Sequence, residues 1–197
     1  MGVRYDVIPT EIRTERLMLR PWRSDDAEAL HPILVANFEH LGPWIPPRVA
    51  TPVPPEALAE RLAGFATEFK AGREWRFAMR TLDESMLLGE IDLFPRSTAG
   101  RVHVADADRV EVGYWIRADR TGRGFVTEAV RAMLGVARGL DRFVHAEIRC
   151  DAQNAPSAAI PQRLGFGLAT TIEEPPGGGV HLQVWTLTLG TTRASDR

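Results

Sequence analysis

The sequence is poor in cysteine. A single cysteine, Cys150, in 197 residues excludes an intrachain disulfide and a cysteine-based zinc site, and fits a reducing compartment. Long apolar runs are missing too. No stretch approaches the ~20 residues of a membrane-spanning helix, and Met1 to Arg20 has no apolar core before a small-residue cleavage site. Neither a membrane partner nor a signal peptide is expected, and the expected location is the cytoplasm. Lysine is nearly absent. Lys70 is the only one, and every other Lys/Arg position is arginine, the bias a GC-rich genome imposes through its Arg and Ala codons. Charge of one sign is not in excess. The net charge is −2 and the signs are interleaved with no basic block, so a nucleic-acid footprint is not supported. Repeats and low-complexity segments are also lacking, and nothing implies a metal. What remains, 44% hydrophobic and 25% charged, is the composition of a globular protein long enough for one sizeable core. A single domain over residues 1–197 is expected, with its core at about 14–189 and a fraying tail at 190–197.

The elements alternate in type. Arg16 to Trp22 reads as a strand. Ser24-Asp-Asp26 reads as a helix start, with a capping hydroxyl and acids at the positive end of the dipole, and Pro32 should kink or shorten that helix. Gly42 to Pro47 and Thr51 to Pro55 form a stiff proline-rich loop. Leu58, Leu62, Phe65 and Phe69 make one apolar helical stripe ended by Gly72. Trp75–Arg80 and Met86–Phe94 form a hairpin across Leu82–Ser85, followed by a polar excursion over 95–108. Arg109–Ile116 is a strand and Gly122-Arg-Gly124 opens a third helix. Val144–Cys150 is a strand, Asn154–Leu164 a short helix, and Phe166–Ile172 and Val180–Leu189 close the chain as strands around a flexible 175–179 connection. This order implies an α+β domain around one sheet.

The stretch Glu111-Val-Gly-Tyr-Trp-Ile-Arg-Ala-Asp-Arg-Thr-Gly-Arg-Gly-Phe-Val-Thr-Glu-Ala129 carries the chemistry. It is a strand, a glycine-rich turn and a helix start. Glycines allow close backbone approach, and free N–H groups with the helix dipole attract phosphate. No Gly-Lys-Ser/Thr follows, so it is not a Walker loop, and it lacks the three spaced glycines of a dinucleotide fingerprint. On two glycines alone, an ordinary strand-to-helix turn is the better explanation.

The wording of the segment resembles motif A of the GNAT superfamily of acyl-CoA-dependent N-acetyltransferases. The family pattern Gln/Arg-x-x-Gly-x-Gly/Ala falls on Thr121 to Val126. Gly124 matches, whereas Thr121 and Val126 depart. Gly-Tyr-Trp before the turn and Thr-Glu-Ala after it look like the RimJ/RimL branch, whose members acetylate protein N-termini and other amines. Thr14 to Trp22 with Asp26, Leu41 to Pro46, Leu88-Gly89, and Asn154 to Ser157 followed by Arg163 to Phe166 are similar to further segments of that branch, in order, over roughly residues 14–189.

The resemblance implies a mixed, mostly antiparallel sheet splayed between two strands and flanked by about four helices. It implies acetyl-CoA as acyl donor, bound in the splay, and no metal. Ile116, Arg117 and Ala118 would then hold the pantetheine. The N–H groups of Gly122, Arg123, Gly124, Phe125, Val126 and Thr127 would hold the pyrophosphate, with the Arg123 guanidinium as a further contact. The implied reaction is direct attack by an amine with general-base help, harder for a lysine (pKa about 10.4) than for an α-amine (about 8). Glu111 is the first candidate base, on a strand face with Gly113 and Trp115, and Glu173, Glu174 and His181 are reserves. An N–H near Ile116 would polarise the thioester oxygen. Ser157 would protonate the leaving thiolate, and Asn154 would bind the cofactor or cap the Ser157 helix. Trp44 would border the acceptor. The acceptor amine is a protein N-terminus or a small molecule, and a homodimer is expected by resemblance only. Two alternatives stand beside this: a non-catalytic acyl-CoA-binding module with the same fold, and, more distantly, a nucleotide-binding protein. Pro161 removes the N–H that would normally bond the Ser157 carbonyl.

Overall fold

A computed structural model describes residues 4–174 and 180–190. The expected connection at 175–179 and the tail at 191–197 lie outside the described residues.

Among the described residues the strands are β1 (Ile12–Arg13), β2 (Leu17–Pro21), β3 (Trp75–Thr81), β4 (Leu87–Ser97), β5 (Gly100–Arg101), β6 (Arg109–Ile116), β7 (His145–Asp151), β8 (Gly167–Glu174) and β9 (Val180–Thr188). They form one sheet in the order β1-β2-β3-β4-β6-β7-β9-β8, with β5 paired to β4. Every pairing is antiparallel except β6 with β7. The helices are α1 (Ala27–Ala36), α2 (Phe38–Leu41), α3 (Pro47–Ala50), α4 (Pro55–Lys70), α5 (Phe125–Gly139) and α6 (Ala155–Arg163). Four of these are the expected ones. The single turns α2 and α3 stand within and beside the segment expected as loop, because Pro47 sits at the first helical position, where its missing N–H has no cost.

Two layers of helices cover the sheet. On one face α5 buries Val130, Met133, Leu134 and Ala137 against Val110 and Val112. On the other, α1 to α4 bury Leu30, Leu34, Leu58 and Leu62 against Trp22, Ala78 and Trp115. Leu58 and Leu62 are fully buried, each worth about 1.5–3 kcal/mol. The two faces follow the strand alternation, so residues 111, 113 and 115 of β6 look toward the α1–α4 side. The expected Ser24 cap does not form. Asp26 instead accepts the Arg23 N–H at 2.9 Å and a two-pronged pair from Arg20 at 2.8 Å. The polar excursion is shorter than expected, because β4 runs on to Ser97 and β5 folds back on it.

Candidate active site

The parallel pairing of β6 with β7 lasts only from Arg109–Glu111 against His145–Glu147. Beyond it β6 keeps its register with β4 to Ile116, and β7 keeps its register with β9 to Asp151. The two strands therefore diverge and leave a gap with facing backbone edges. The Arg117 N–H bonds Leu88 O at 3.0 Å. That bond fixes the phase of the β4–β6 ladder, so Val112, Tyr114 and Ile116 turn their N–H and C=O groups to the gap. Gly89 makes the close strand approach there possible: a Cβ on it would lie 2.1 Å from Trp115 O.

At the wide end of the gap, Gly122 and Gly124 have φ of 71° and 80°, a left-handed conformation that glycine adopts without strain. The N–H groups of Gly122 to Thr127 make no backbone hydrogen bond, and Gly124 caps α5 without a side chain. This is an anion cradle at a helix N-terminus. Val126 is buried in the core, so its bulk points away from the cradle. Arg123 is exposed beside it. Two residues not singled out from sequence shape the turn. Arg16 donates to Arg123 O at 3.0 Å, pairs with Glu128 at 2.6 Å and lies 4.6 Å over the Phe125 ring. Glu128 also accepts from the Thr14 hydroxyl and the Arg16 N–H.

Of the expected pantetheine residues, Arg117 and Ala118 have spent their N–H groups internally. Ala118 N–H donates to the buried Asn37 Oδ1 at 2.7 Å, which anchors the segment to α1. The N–H at Ile116 is the one left to the gap.

The narrow end opens on a cavity of about 490 Å³ on the α1–α4 side. Trp44, 40% exposed, and Pro46 stand at its border. Its floor is charged. Glu111 lies there, but both oxygens are taken, by Arg96 at 2.6 Å and Arg101 at 2.9 Å. Next along the same face is Asp92, opposite Gly113 in register and 4% exposed. Burial and the neighbouring Glu90 push the Asp92 carboxyl well above the usual range, and Arg76 only partly opposes them. Arg76 joins the cluster, donating to Glu90 at 3.0 Å and to Glu74 at 2.8 Å, and reaching Asp92 at 3.4 Å. Glu90 also accepts the Trp22 indole N–H at 2.6 Å.

Ser157 lines the same cavity. Its Oγ donates to Tyr114 OH at 3.2 Å, and Tyr114 OH donates to the Ser157 carbonyl at 3.1 Å. The carbonyl orphaned by Pro161 is thus satisfied from β6, across the gap. Burial raises the Tyr114 phenol and the Cys150 thiol beside it, so both stay protonated. Asn154 accepts the Ser157 N–H at 3.2 Å, as a helix cap. The reserve bases fall elsewhere. Glu173 and His181 oppose each other on the β8–β9 hairpin, both exposed and outside the cavity lining, and Glu174 follows at the strand end.

So a phosphate-sized cradle, a strand gap and a carboxylate-floored cavity lie in one line. A family model described as acetyltransferase (GNAT) domain matches residues 16–167. The [Ribosomal protein uS5]-alanine N-acetyltransferase of Escherichia coli is 27% identical over 166 residues, 84% of this chain and 82% of that one. Among solved structures, RimL, a ribosomal L7/L12 alpha-N-protein acetyltransferase in complex with coenzyme A, superposes with a TM-score of 0.76 at 16% identity, over 92% of this chain and 97% of that one. The microcin C7 self-immunity acetyltransferase MccE, in complex with acetyl-CoA and AMP, gives 0.72 at 16% identity, over 93% and 98%.

Proposed function

This chain belongs to the GNAT acetyltransferase family, and from that premise we propose that its acceptor is the α-amine of a protein N-terminus. Its activity is acetyl transfer from acetyl-CoA to an amine. The observation that carries the site assignment is the free N–H array of Gly122 to Thr127, continuous through the β6–β7 gap with the acidic cavity. These residues fit acetyl-CoA: the cradle suits its pyrophosphate and the edge of β6 suits its amide-bearing arm. Bound there, it supplies an activated acetyl thioester. The chain spans 82% of the Escherichia coli relative, which by name acts on a ribosomal protein's alanine. That supports a peptide acceptor, as does a cavity bordered by a half-exposed tryptophan rather than closed over.

In this reading residues 14–189 act as one catalytic unit in the cytoplasm, where the single free cysteine stays reduced. Ile116 N–H polarises the thioester oxygen. Ser157, oriented by Asn154 and Tyr114, returns a proton to the leaving sulfur. Glu111 holds Arg96 and Arg101 in place rather than acting as base, since both of its oxygens are engaged by guanidinium donors. Trp44 borders the peptide.

The test is acetylation of peptides with a free N-terminus, with the modified nitrogen located by mass spectrometry. Acetyl on the α-amine is expected. Acetylation confined to lysine side chains or to small amines would overturn the acceptor reading while leaving the family reaction intact.

A further inference from the structure

We infer that Asp92 is the catalytic residue that receives the acceptor's ammonium group and takes its proton. The inference rests on the acetyl-transfer reading above and deepens it.

Four observations on one spot carry it. Asp92 lines the acceptor cavity. Among the described residues, its Oδ1 is the one buried carboxylate oxygen without a donor. Buried carboxylate oxygens are normally satisfied, and one left without a donor calls for an explanation. The residue opposite it in register is Gly113. A Cβ at that position would lie 3.4 Å from Asp92 Oδ2 and 2.9 Å from the Phe94 ring, so glycine lets the carboxyl and the ring sit directly against the β6 backbone. Finally, the carboxylates clustered around Asp92 are committed, and Asp151, which also lines the cavity, accepts the Gln153 N–H. Glu74 pairs with Arg48 and Arg76. Glu90 holds Arg76 and Trp22, and Glu111 holds Arg96 and Arg101.

The same burial that isolates Asp92 makes it a good acceptor of a proton. In a low-dielectric site, an ammonium beside a carboxylate is less stable relative to the neutral amine and carboxyl than it is in water. Glu90 adds to this by its charge, which disfavours a second ionised carboxylate beside it. Glu90 already accepts two donors, whereas Asp92 Oδ1 has none.

The ammonium R–NH3+ gives one proton to Asp92 and becomes R–NH2. The nitrogen lone pair forms the C–N bond at the thioester carbonyl carbon. The C–S bond breaks with its electrons on sulfur. The second nitrogen proton compensates for the one that sulfur gains through Ser157. Asp92 then releases its proton to solvent, so the net products are the amide, the thiol and one H+.

The test uses Asp92→Asn in the full chain, with a hexapeptide bearing a free N-terminal alanine and no lysine. Expected is a fall in kcat/KM of about 100-fold or more at pH 7. Calorimetric affinity for acetyl-CoA should stay within about 3-fold of wild type. The rise of kcat/KM with pH should move up toward the free amine's own titration. The charges facing Asp92 (Arg76, Glu74, Glu90, Arg101, Glu111) are unchanged in the variant, so the moved limb reports Asp92. Independently of activity, the carboxyl carbon resonance that disappears in Asp92→Asn should titrate above the other carboxylates and shift when peptide is added to wild type. Wild-type turnover with an Asp92→Asn variant equal to it within a few-fold at every pH overturns the role of Asp92 and leaves acetyl transfer standing. An inactive variant whose residual pH profile keeps the wild-type limb reduces Asp92 to a structural residue and also overturns the inference. A wild type that binds acetyl-CoA but acetylates no amine removes the acceptor reading, and the inference falls with it.

Discussion

Tyr114 and Pro161 compensate for each other, and a double-mutant cycle measures by how much. Pro161 lies inside α6 and cannot donate to the Ser157 carbonyl. Tyr114 OH supplies the missing donor at 3.1 Å from the neighbouring strand. Replacing Tyr114 with Phe keeps the ring packing but leaves that part-buried carbonyl without a protein donor, which costs about 1–3 kcal/mol. In a chain of this size each kcal/mol moves the midpoint by roughly 2–4 °C. Pro161→Ala alone should change stability little, because the restored N–H competes with a phenol already in place. In the Tyr114→Phe background the same change should recover most of the loss. Coupling of roughly 1–2 kcal/mol is expected, well above the ~0.5 kcal/mol at which distant sites stop being additive. Urea unfolding of the four proteins, followed by fluorescence, gives the number. Additive effects would refute the idea that Tyr114 stands in for the lost helical bond. Activity should follow the same cycle, since Tyr114 also receives the Ser157 hydroxyl.

Further outcomes follow from the geometry. Asp92→Asn should stabilise the fold: a carboxyl raised by burial loses stability as pH rises from the unfolded value near 4 through the folded one, so the gain in Tm should be larger at pH 8 than at pH 4. Asp26 has the opposite sign. Burial raises it, but Arg20, the Arg23 N–H and Arg80 more than offset that and hold it below the ordinary value, so its contribution is full above pH ~4 and fades as pH falls, which acid titration of Asp26→Asn against wild type would show. Gly89→Ala would place a Cβ 2.1 Å from Trp115 O, and should cost about 1–3 kcal/mol or more in urea unfolding while distorting the Ile116 edge. Asn37→Ala frees the Ala118 N–H, and should raise the KM for acetyl-CoA more than it lowers kcat.

The strand positions and the glycine turn were legible because both depend on local patterns. Alternation placed 111, 113 and 115 on one face, and Gly122 and Gly124 announced positive φ. The roles of Tyr114, Asn37 and Arg16 were not legible, because each acts on a residue 43, 81 or 107 positions away, and no local pattern encodes such a pairing. Glu111 looked like a base on its strand position alone. Its engagement depends on Arg96 and Arg101, which β4 and β5 bring to it by folding back. A signal for Asp92 did exist: Glu90 and Asp92 alternate with Ile91 and Leu93 in an otherwise apolar strand, and two charges facing a core side need a reason.

The central claim is that the cradle and gap hold the acyl donor. Calorimetric titration of acetyl-CoA into wild type and into Gly124→Arg tests it most directly, because Gly124 sits at φ 80° with only the Arg16 guanidinium near its missing Cβ, 3.5 Å away. The account predicts micromolar binding by wild type and its loss in the variant, with the fold retained by circular dichroism. Equal binding by a folded variant, or none by wild type, would contradict it.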